Sequence, residues 1–233
     1  MRIDKLISEC GIASRKEAAL AAKKGGVTVN GEPVKDLSRH VDPKIDKVTY
    51  LGRAVEYEQF VYVMLNKPEG YVSATDDPGL PVVTELLSSE LRKRGLFPVG
   101  RLDRDTVGLM ILTNNGPLSH ALLAPKNHVA KSYRFECAEP LDERAELIFR
   151  EGITLGDGYV CKSAELSMDE GRTSGIITLT EGKYHQIKRM MGAMSNRIVF
   201  LERVSFGGIE LDRALQRGEW RYLTSEEIKL IER

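Results

Sequence analysis

The chain has 233 residues with 34 basic and 34 acidic side chains, a formal net charge of zero, and 42% hydrophobic residues, enough for a core in one large domain or in a small one joined to a larger one. No apolar run reaches the ~18 residues of a membrane-spanning helix, and the start Met1-Arg2-Ile3-Asp4 has no signal-peptide stretch. Cys10, Cys137 and Cys161, far apart in the chain, fit neither a disulfide framework nor a zinc ribbon, so the expectation is a soluble cytoplasmic protein with no membrane partner.

Ile3 to Glu9 reads as a short helix stopped near Gly11. Ser14-Arg15-Lys16-Glu17 is a capping box that opens a second helix running to Lys24, where Gly25-Gly26 ends it. Val27-Thr28-Val29-Asn30-Gly31-Glu32-Pro33-Val34 has valines on either side of Asn-Gly, the pair suited to a type I′ hairpin. A short strand is expected at Val48-Thr49-Tyr50 and a linker at Glu56-Tyr57-Glu58-Gln59. The distribution of charge matters more than its sum. Residues 1–40 hold eight basic against five acidic side chains, residues 183–203 five against one, and residues 136–181 four against eleven.

Arg2-x-Asp4-Lys5-Leu6, Ser14-Arg15 and Gly26-Val27-x-Val29-Asn30-Gly31 resemble the motif of the S4 (αL-type) RNA-binding domain. The resemblance places this domain at residues 1–57. It implies that Arg15, Lys16, Lys23 and Lys24 lie along a helix that meets RNA phosphates, with Arg2 and Lys5 beside them.

Beyond it, Phe60–Leu65 and Val107–Leu112 read as buried strands, with further strands at Tyr133–Cys137, Ser163–Met168 and Ser174–Thr180. Helices are expected at Thr84–Arg94, Leu118–Leu123, Asp142–Arg150 and His185–Met194. A second capping box, Thr224-Ser225-Glu226-Glu227, opens a C-terminal helix. Strands outnumber helices without alternating with them, which predicts a mixed, mostly antiparallel α+β domain over residues 58–233.

Nucleotide-binding glycine fingerprints and a Gly-x-Ser-x-Gly elbow are absent, and the four histidines lack metal-ligand spacing. What stands out is Gly100-Arg101-Leu102-Asp103-Arg104-Asp105-Thr106, two aspartates alternating with arginines just before a buried strand. A carboxylate there, paired with a cation and held by rigid backbone, suits covalent catalysis, while a surface salt-bridge ladder fits the same residues equally well. Glu181-Gly182-Lys183-Tyr184-His185-Gln186-Ile187-Lys188-Arg189-Met190 reads as a glycine turn feeding a cationic helix start.

Four segments in order resemble the ribosomal RNA pseudouridine synthases of the RsuA/RluB/RluE/RluF family. They are Asn66-Lys67-Pro68-x-Gly70, Gly100-Arg101-Leu102-Asp103-x-x-Thr106-x-Gly108-Leu109, Lys131-x-Tyr133 and Glu181-Gly182-x-x-His185-Gln186-x-Lys188-Arg189-Met190. The resemblance implies an isomerase needing no cofactor or metal, with Asp103 as catalytic carboxylate, Lys188 as its aligning cation and Tyr133 stacked on the flipped uracil. Arg101 is implied to hold a flanking phosphate or help extrude the nucleotide, Leu201 to pack on the base, His185 and Gln186 to bind substrate, and Arg189 to meet RNA. Whether the aspartate attacks C1′, adds to C6 or takes a sugar proton stays open. Lys188 and Ala74-Thr75-Asp76-Asp77-Pro78 look most like the branch acting on 16S rRNA at uridine 516. A monomer is the simplest expectation for the oligomeric state, which the sequence leaves open. Asn115, where relatives often have aspartate, and Val107, in place of a polar residue, depart from the pattern. A paralogue acting on 23S rRNA, a non-catalytic S4 protein of ribosome assembly, and a hydrolase pairing Asp103 with Asp105 or Asp76 remain alternatives.

Overall fold

The computed structural model describes residues 1–232, which fall into two compact units. The first comprises Met1–Val61 and Leu87–Leu96. Helix α1 (Ile3–Glu9) precedes α2 (Arg15–Lys23), whose capping box is present: Ser14 Oγ accepts from Glu17 N at 3.3 Å, and Ser14 N donates to Glu17 Oε2 at 2.7 Å. Strands β1 (Val27–Val29) and β2 (Glu32–Pro33) form the expected hairpin, with Asn30 at φ 54° and Gly31 at φ 89°, the two positive angles a type I′ turn demands. With β3 (Val48–Tyr50) and β4 (Arg53–Ala54) they make an antiparallel sheet ordered β2-β1-β3-β4. Ile3, Leu6 and Ile7 from α1 and Ala18 and Ala22 from α2 pack with Val27, Val29 and Val48 in its core.

Residues 56–59 do not form a free linker. The Glu56 carbonyl accepts from Cys10 Sγ at 3.3 Å, and the Glu58 carbonyl accepts from Arg94 Nη2. Arg94 follows α3 (Ser89–Lys93), so this unit includes residues that the 58–233 boundary assigned to the other domain. The helix expected over Thr84–Arg94 is split. Residues Val83–Leu86 form a single 3-10 turn, and Ser88 turns extended at ψ 155° so that its Oγ can accept from Leu91 N. A serine that caps a new helix cannot also continue an old one.

The second unit comprises Tyr62–Leu86 and Phe97–Arg233. Its strands are β5 (Tyr62–Lys67), β6 (Phe97–Pro98), β7 (Val107–Thr113), β8 (Lys131–Cys137), β9 (Glu165–Met168), β10 (Ser174–Leu179), β11 (Ile198–Phe206), β12 (Ile209–Glu210) and β13 (Trp220–Tyr222). They form one nine-stranded sheet ordered β13-β5-β7-β11-β8-β10-β9, with β12 on β11 and β6 on β7. All pairings are antiparallel except β7 with β11, which bears out a mixed, mostly antiparallel α+β fold. Helices α4 (Gly116–Leu123), α5 (Ala145–Glu151), α6 (Gln186–Ala193) and α7 (Ser225–Ile231) cover it. Phe135, Phe149, Ile177, Met190 and Leu201 centre one core cluster, and Met64, Leu109, Ile111 and Phe206 another. Asn115 caps α4 by accepting from Leu118 N at 3.1 Å, while its Nδ2 donates to the Tyr62 hydroxyl at 2.9 Å. Among the described residues no helix is long and apolar enough to cross a membrane.

Candidate active site

Asp103 lies in the loop between β6 and β7, and the Asn66–Gly70 segment at the end of β5 holds that loop from below. Lys67 and Gly108 are register partners, so the Lys67 side chain starts beside the point where the loop enters β7. Lys67 is fully buried, and its ammonium donates to the carbonyls of Asp103 (3.0 Å), Arg104 (3.2 Å), Thr106 (2.8 Å) and its neighbour Pro68 (3.2 Å). Burial pushes its pKa down to about 8, against the opposing pull of Asp105 and Asp103. Ser73 Oγ donates to the Leu102 carbonyl at 2.8 Å and accepts from the Leu102 amide at 3.0 Å. Gly70 N donates to the Arg104 carbonyl at 2.9 Å. A backbone bonded at successive residues gives its side chains a fixed direction.

Neighbouring strands bring the next groups. Tyr133 on β8 and Leu201 and Arg203 on β11 sit close because Arg203 pairs with Tyr133 on one side and with Gly108 on the other. Gly108 has φ +100°, and a Cβ there would stand 2.4 Å from the Arg203 carbonyl oxygen. No other residue fits that crossing. Arg203 is itself buried, donating from Nε to the Leu109 carbonyl at 2.7 Å and lying 5.1 Å from the centre of the Phe206 ring. Burial lowers its pKa, partly offset by its interaction with the Tyr133 hydroxyl.

The third element is α6. His185, expected inside the helix, instead precedes it in the left-handed region at φ 47°, stacked on Tyr184 with ring centres 3.9 Å apart. This unusual backbone is braced by a buried acid: Glu181 accepts from the Tyr159 hydroxyl (2.7 Å), the Lys162 amide (3.0 Å) and Gln186 Nε2 (2.6 Å). Ile187, Met190 and Met191 bury the far side of α6, which leaves Lys188 facing the Asp103 loop. Lys188 Nζ lies 3.1 Å from Asp103 Oδ2 and 2.5 Å from Asp105 Oδ1, and His185 Nε2 lies 3.5 Å from Asp103 Oδ1. Burial alone would lower the Lys188 pKa, but the bonds and charges of Asp105 and Asp103 outweigh it and raise it. Burial would likewise raise Asp105, yet Lys188 holds it below the ordinary aspartate value.

Arg101, Asp103, Tyr133, His185, Gln186, Lys188 and Leu201 thus line one small pocket, floored by Leu179 and Ile187. It is continuous with a cleft of about 810 Å³ that shares Arg101, Asp103, Lys183 and His185 and adds Arg104, Lys131 and Lys162. Gln186 spends its amide within the protein, donating to Glu181 and accepting from Lys183 N at 2.8 Å. Arg189 is not brought to the pocket and pairs with Asp157 at 2.5 Å. In the first unit Arg15, Lys16, Lys23 and Lys24 are exposed on or just after α2, with no ion pair among the described residues. Arg2 pairs with Asp4 at 2.8 Å and Lys5 with Glu9 at 3.5 Å. Sequence reasoning missed the part Lys67 plays, the sharing of Lys188 with Asp105, and the Glu181 hub. The Lys67-Pro68 and Glu181-Gly182 motifs were the signals that could have found two of them.

An ammonium-braced carboxylate beside a tyrosine ring and an apolar floor, opening to a basic cleft, suits nucleophilic or base chemistry on a planar ring carried by a polyanion. The family described as RNA pseudouridylate synthase matches residues 61–193, and the S4 domain family matches residues 1–44. The chain is 43% identical to an uncharacterized RNA pseudouridine synthase, YtzG, of Bacillus subtilis, covering 99% of this chain and 98% of the relative. It is 38% identical to ribosomal small subunit pseudouridine synthase A of Escherichia coli K12, covering 98% of each. The crystal structure of a pseudouridylate synthase superimposes with a TM-score of 0.70 at 36% identity, covering 99% of both chains. With matches spanning nearly its whole length, the chain belongs to the RNA pseudouridine synthase family and carries an S4 domain ahead of the synthase fold.

Proposed function

We propose that the protein converts a uridine of ribosomal RNA to pseudouridine, in 16S rRNA at uridine 516, with Asp103 as the catalytic carboxylate. The observation that carries this reading is the Asp103–Lys188 pair at 3.1 Å in a pocket shared with Tyr133 and Leu201. Full-length similarity to proteins named ribosomal small subunit pseudouridine synthase A supports the choice of small-subunit RNA. The reaction breaks the N1–C1′ bond, turns the uracil and forms a C5–C1′ bond. The C5 proton leaves and N1 gains one, so atoms balance without an oxidant or water. In each of the three routes open to the aspartate it acts ionised, and Lys188 keeps it aligned while charge moves. Tyr133 stacks on the everted base and serves in removing the C5 proton. Leu201 packs against the ring, and Arg101 and His185 contact the nucleotide and its flanking phosphate.

Taking a base out of its stack costs a few kcal/mol. Phosphate contacts offset that cost: Arg15, Lys16, Lys23 and Lys24, with Arg2 and Lys5, serve this purpose in the domain of residues 1–57. The second unit, which holds the whole Asp103 pocket, does the chemistry, and the protein works as a cytoplasmic monomer.

The test is pseudouridine mapping of 16S and 23S rRNA from cells with and without the protein, and with Asp103→Asn. Loss of one 16S pseudouridine in the deletion, restored by wild type and not by the variant, is the expected result. Loss of a 23S pseudouridine would reassign the substrate, and full activity of Asp103→Asn would refute the mechanism.

A further inference from the structure

The Asp103 pocket is lined by a residue with a buried polar group that has no partner among the described residues. Thr106 closes the turn begun by Asp103. Its amide donates to the Asp103 carbonyl at 3.1 Å, and its carbonyl accepts from Lys67 Nζ at 2.8 Å. Its hydroxyl is buried and has no hydrogen-bond partner among the described residues. Thr106 is 2% exposed and lines the pocket together with Asp103, Tyr133, Lys188 and Leu201.

Buried hydroxyls are nearly always paired, because an unpaired one gives up its hydration for nothing. Other threonines of this chain obey the rule. Buried Thr84 Oγ1 donates to the Thr75 carbonyl at 3.2 Å and buried Thr113 Oγ1 accepts from Asn115 N at 3.0 Å, and half-buried Thr28 and Thr178 pair with Thr49 at 2.7 Å and Ser132 at 2.9 Å. A valine would occupy the space of Thr106 with no orphaned oxygen, so packing does not call for the hydroxyl.

We propose that Thr106 is a substrate-contacting residue whose hydroxyl donates a hydrogen bond to an oxygen of the pyrimidine nucleotide entering beside Asp103. This rests on the reading that the reacting uridine occupies that pocket. With amide and carbonyl already engaged, the hydroxyl is the one polar group Thr106 has to offer an incoming molecule. A uridine brings ring carbonyl and ribose oxygens that can accept. Because the Thr106 amide is bonded to the Asp103 carbonyl, such a contact also fixes the nucleotide relative to the carboxylate. Such a hydrogen bond gives the buried hydroxyl a partner that no described residue supplies.

The experiment compares full-length wild type, Thr106→Val and Thr106→Ser on 16S and 23S rRNA from cells lacking the protein, reading single-turnover rate and thermal unfolding midpoint. Valine should slow the reaction about tenfold or more while the midpoint stays level or rises, since only an unpaired hydroxyl has gone. Serine should keep most of the rate and unfold earlier, because a buried methyl is removed. Wild-type speed in Thr106→Val, or a midpoint that falls together with its rate, would overturn the inference while leaving the function standing. Wild type inactive on both RNAs would overturn the function and this inference with it.

Discussion

Lys67 Nζ donates to the backbone carbonyl of Asp103 at 3.0 Å, so a buried cation grips the main chain of the residue whose side chain faces the pocket. Thr106, at the far end of the same turn, is gripped by the same ammonium. Lys67→Met should therefore lower kcat far more than it raises KM for RNA. The buried carbonyls left without a donor should also bring the urea midpoint down, each such loss being about 1–3 kcal/mol.

That ammonium also predicts a pH effect. With its folded pKa depressed to about 8, Lys67 adds stability that is fully present above its unfolded value near 10.5 and is lost as pH falls through 8. Activity should move the other way, because deprotonation removes a donor from the loop. The rate should decline with an apparent pKa near 8, and the decline should vanish in Lys67→Met. Lys131 is also held near 8 by burial, so Lys131→Met is the control that must leave the decline in place.

Lys188 stands between Asp103 and Asp105, nearer to Asp105. Removing the cation as Lys188→Met leaves two carboxylates facing each other, which favours proton uptake by the pair. The acid limb of the pH–rate profile should shift upward and kcat should fall about 10²-fold or more, with Lys188→Arg retaining most activity. Asp105→Asn should be milder, since that side chain is largely exposed and its ion pair is worth at most about 1 kcal/mol.

Glu181 is buried and accepts three hydrogen bonds that set the start of α6. Glu181→Ala should destabilise the synthase unit by about 3 kcal/mol and reduce activity by letting Lys188 wander. Glu181→Gln should lose less, because the amide can still accept from Gln186. Urea unfolding and single-turnover assays on both variants check this.

Replacing Arg15, Lys16, Lys23 and Lys24 together by alanine should weaken RNA binding and flatten its salt dependence by about one unit of log–log slope for each phosphate no longer neutralised. Turnover at saturating RNA should stay near wild type. Filter binding across a salt series, paired with a single-turnover assay, separates the two effects.

Local features could be read directly from the residues. The Ser14 and Thr224 capping boxes and the Asn30-Gly31 turn stand where the sequence places them. The buried strands at β5 and β7 do too, each within two residues of its expected bounds. The helix over Thr84–Arg94 was misread because apolar spacing continues across Ser88, and nothing nearby says that its oxygen caps a new helix. Two-residue strands such as β6 and β12 were missed because they exist through their partner and have no period of their own.

At the site the sequence named residue types and left their company unstated. Asp103, Tyr133, Lys188 and Leu201 could be singled out by motif, yet that Asp105 shares the cation, that Gln186 turns inward to Glu181, and that Thr106 keeps an unpaired hydroxyl are facts of packing. By itself the sequence determined helix caps, turns and strand faces, since each depends on side chains within a few residues of the backbone they serve. Only the tertiary structure decided which carbonyls Lys67 would hold across 36 to 39 residues and which carboxylates Lys188 would bridge across more than eighty. The Lys67 bonds form when the sheet has closed and water has left, and the low dielectric of that interior is what makes them strong, whereas the solvent-facing Lys188 bridge depends on α6 being set beside the Asp103 loop.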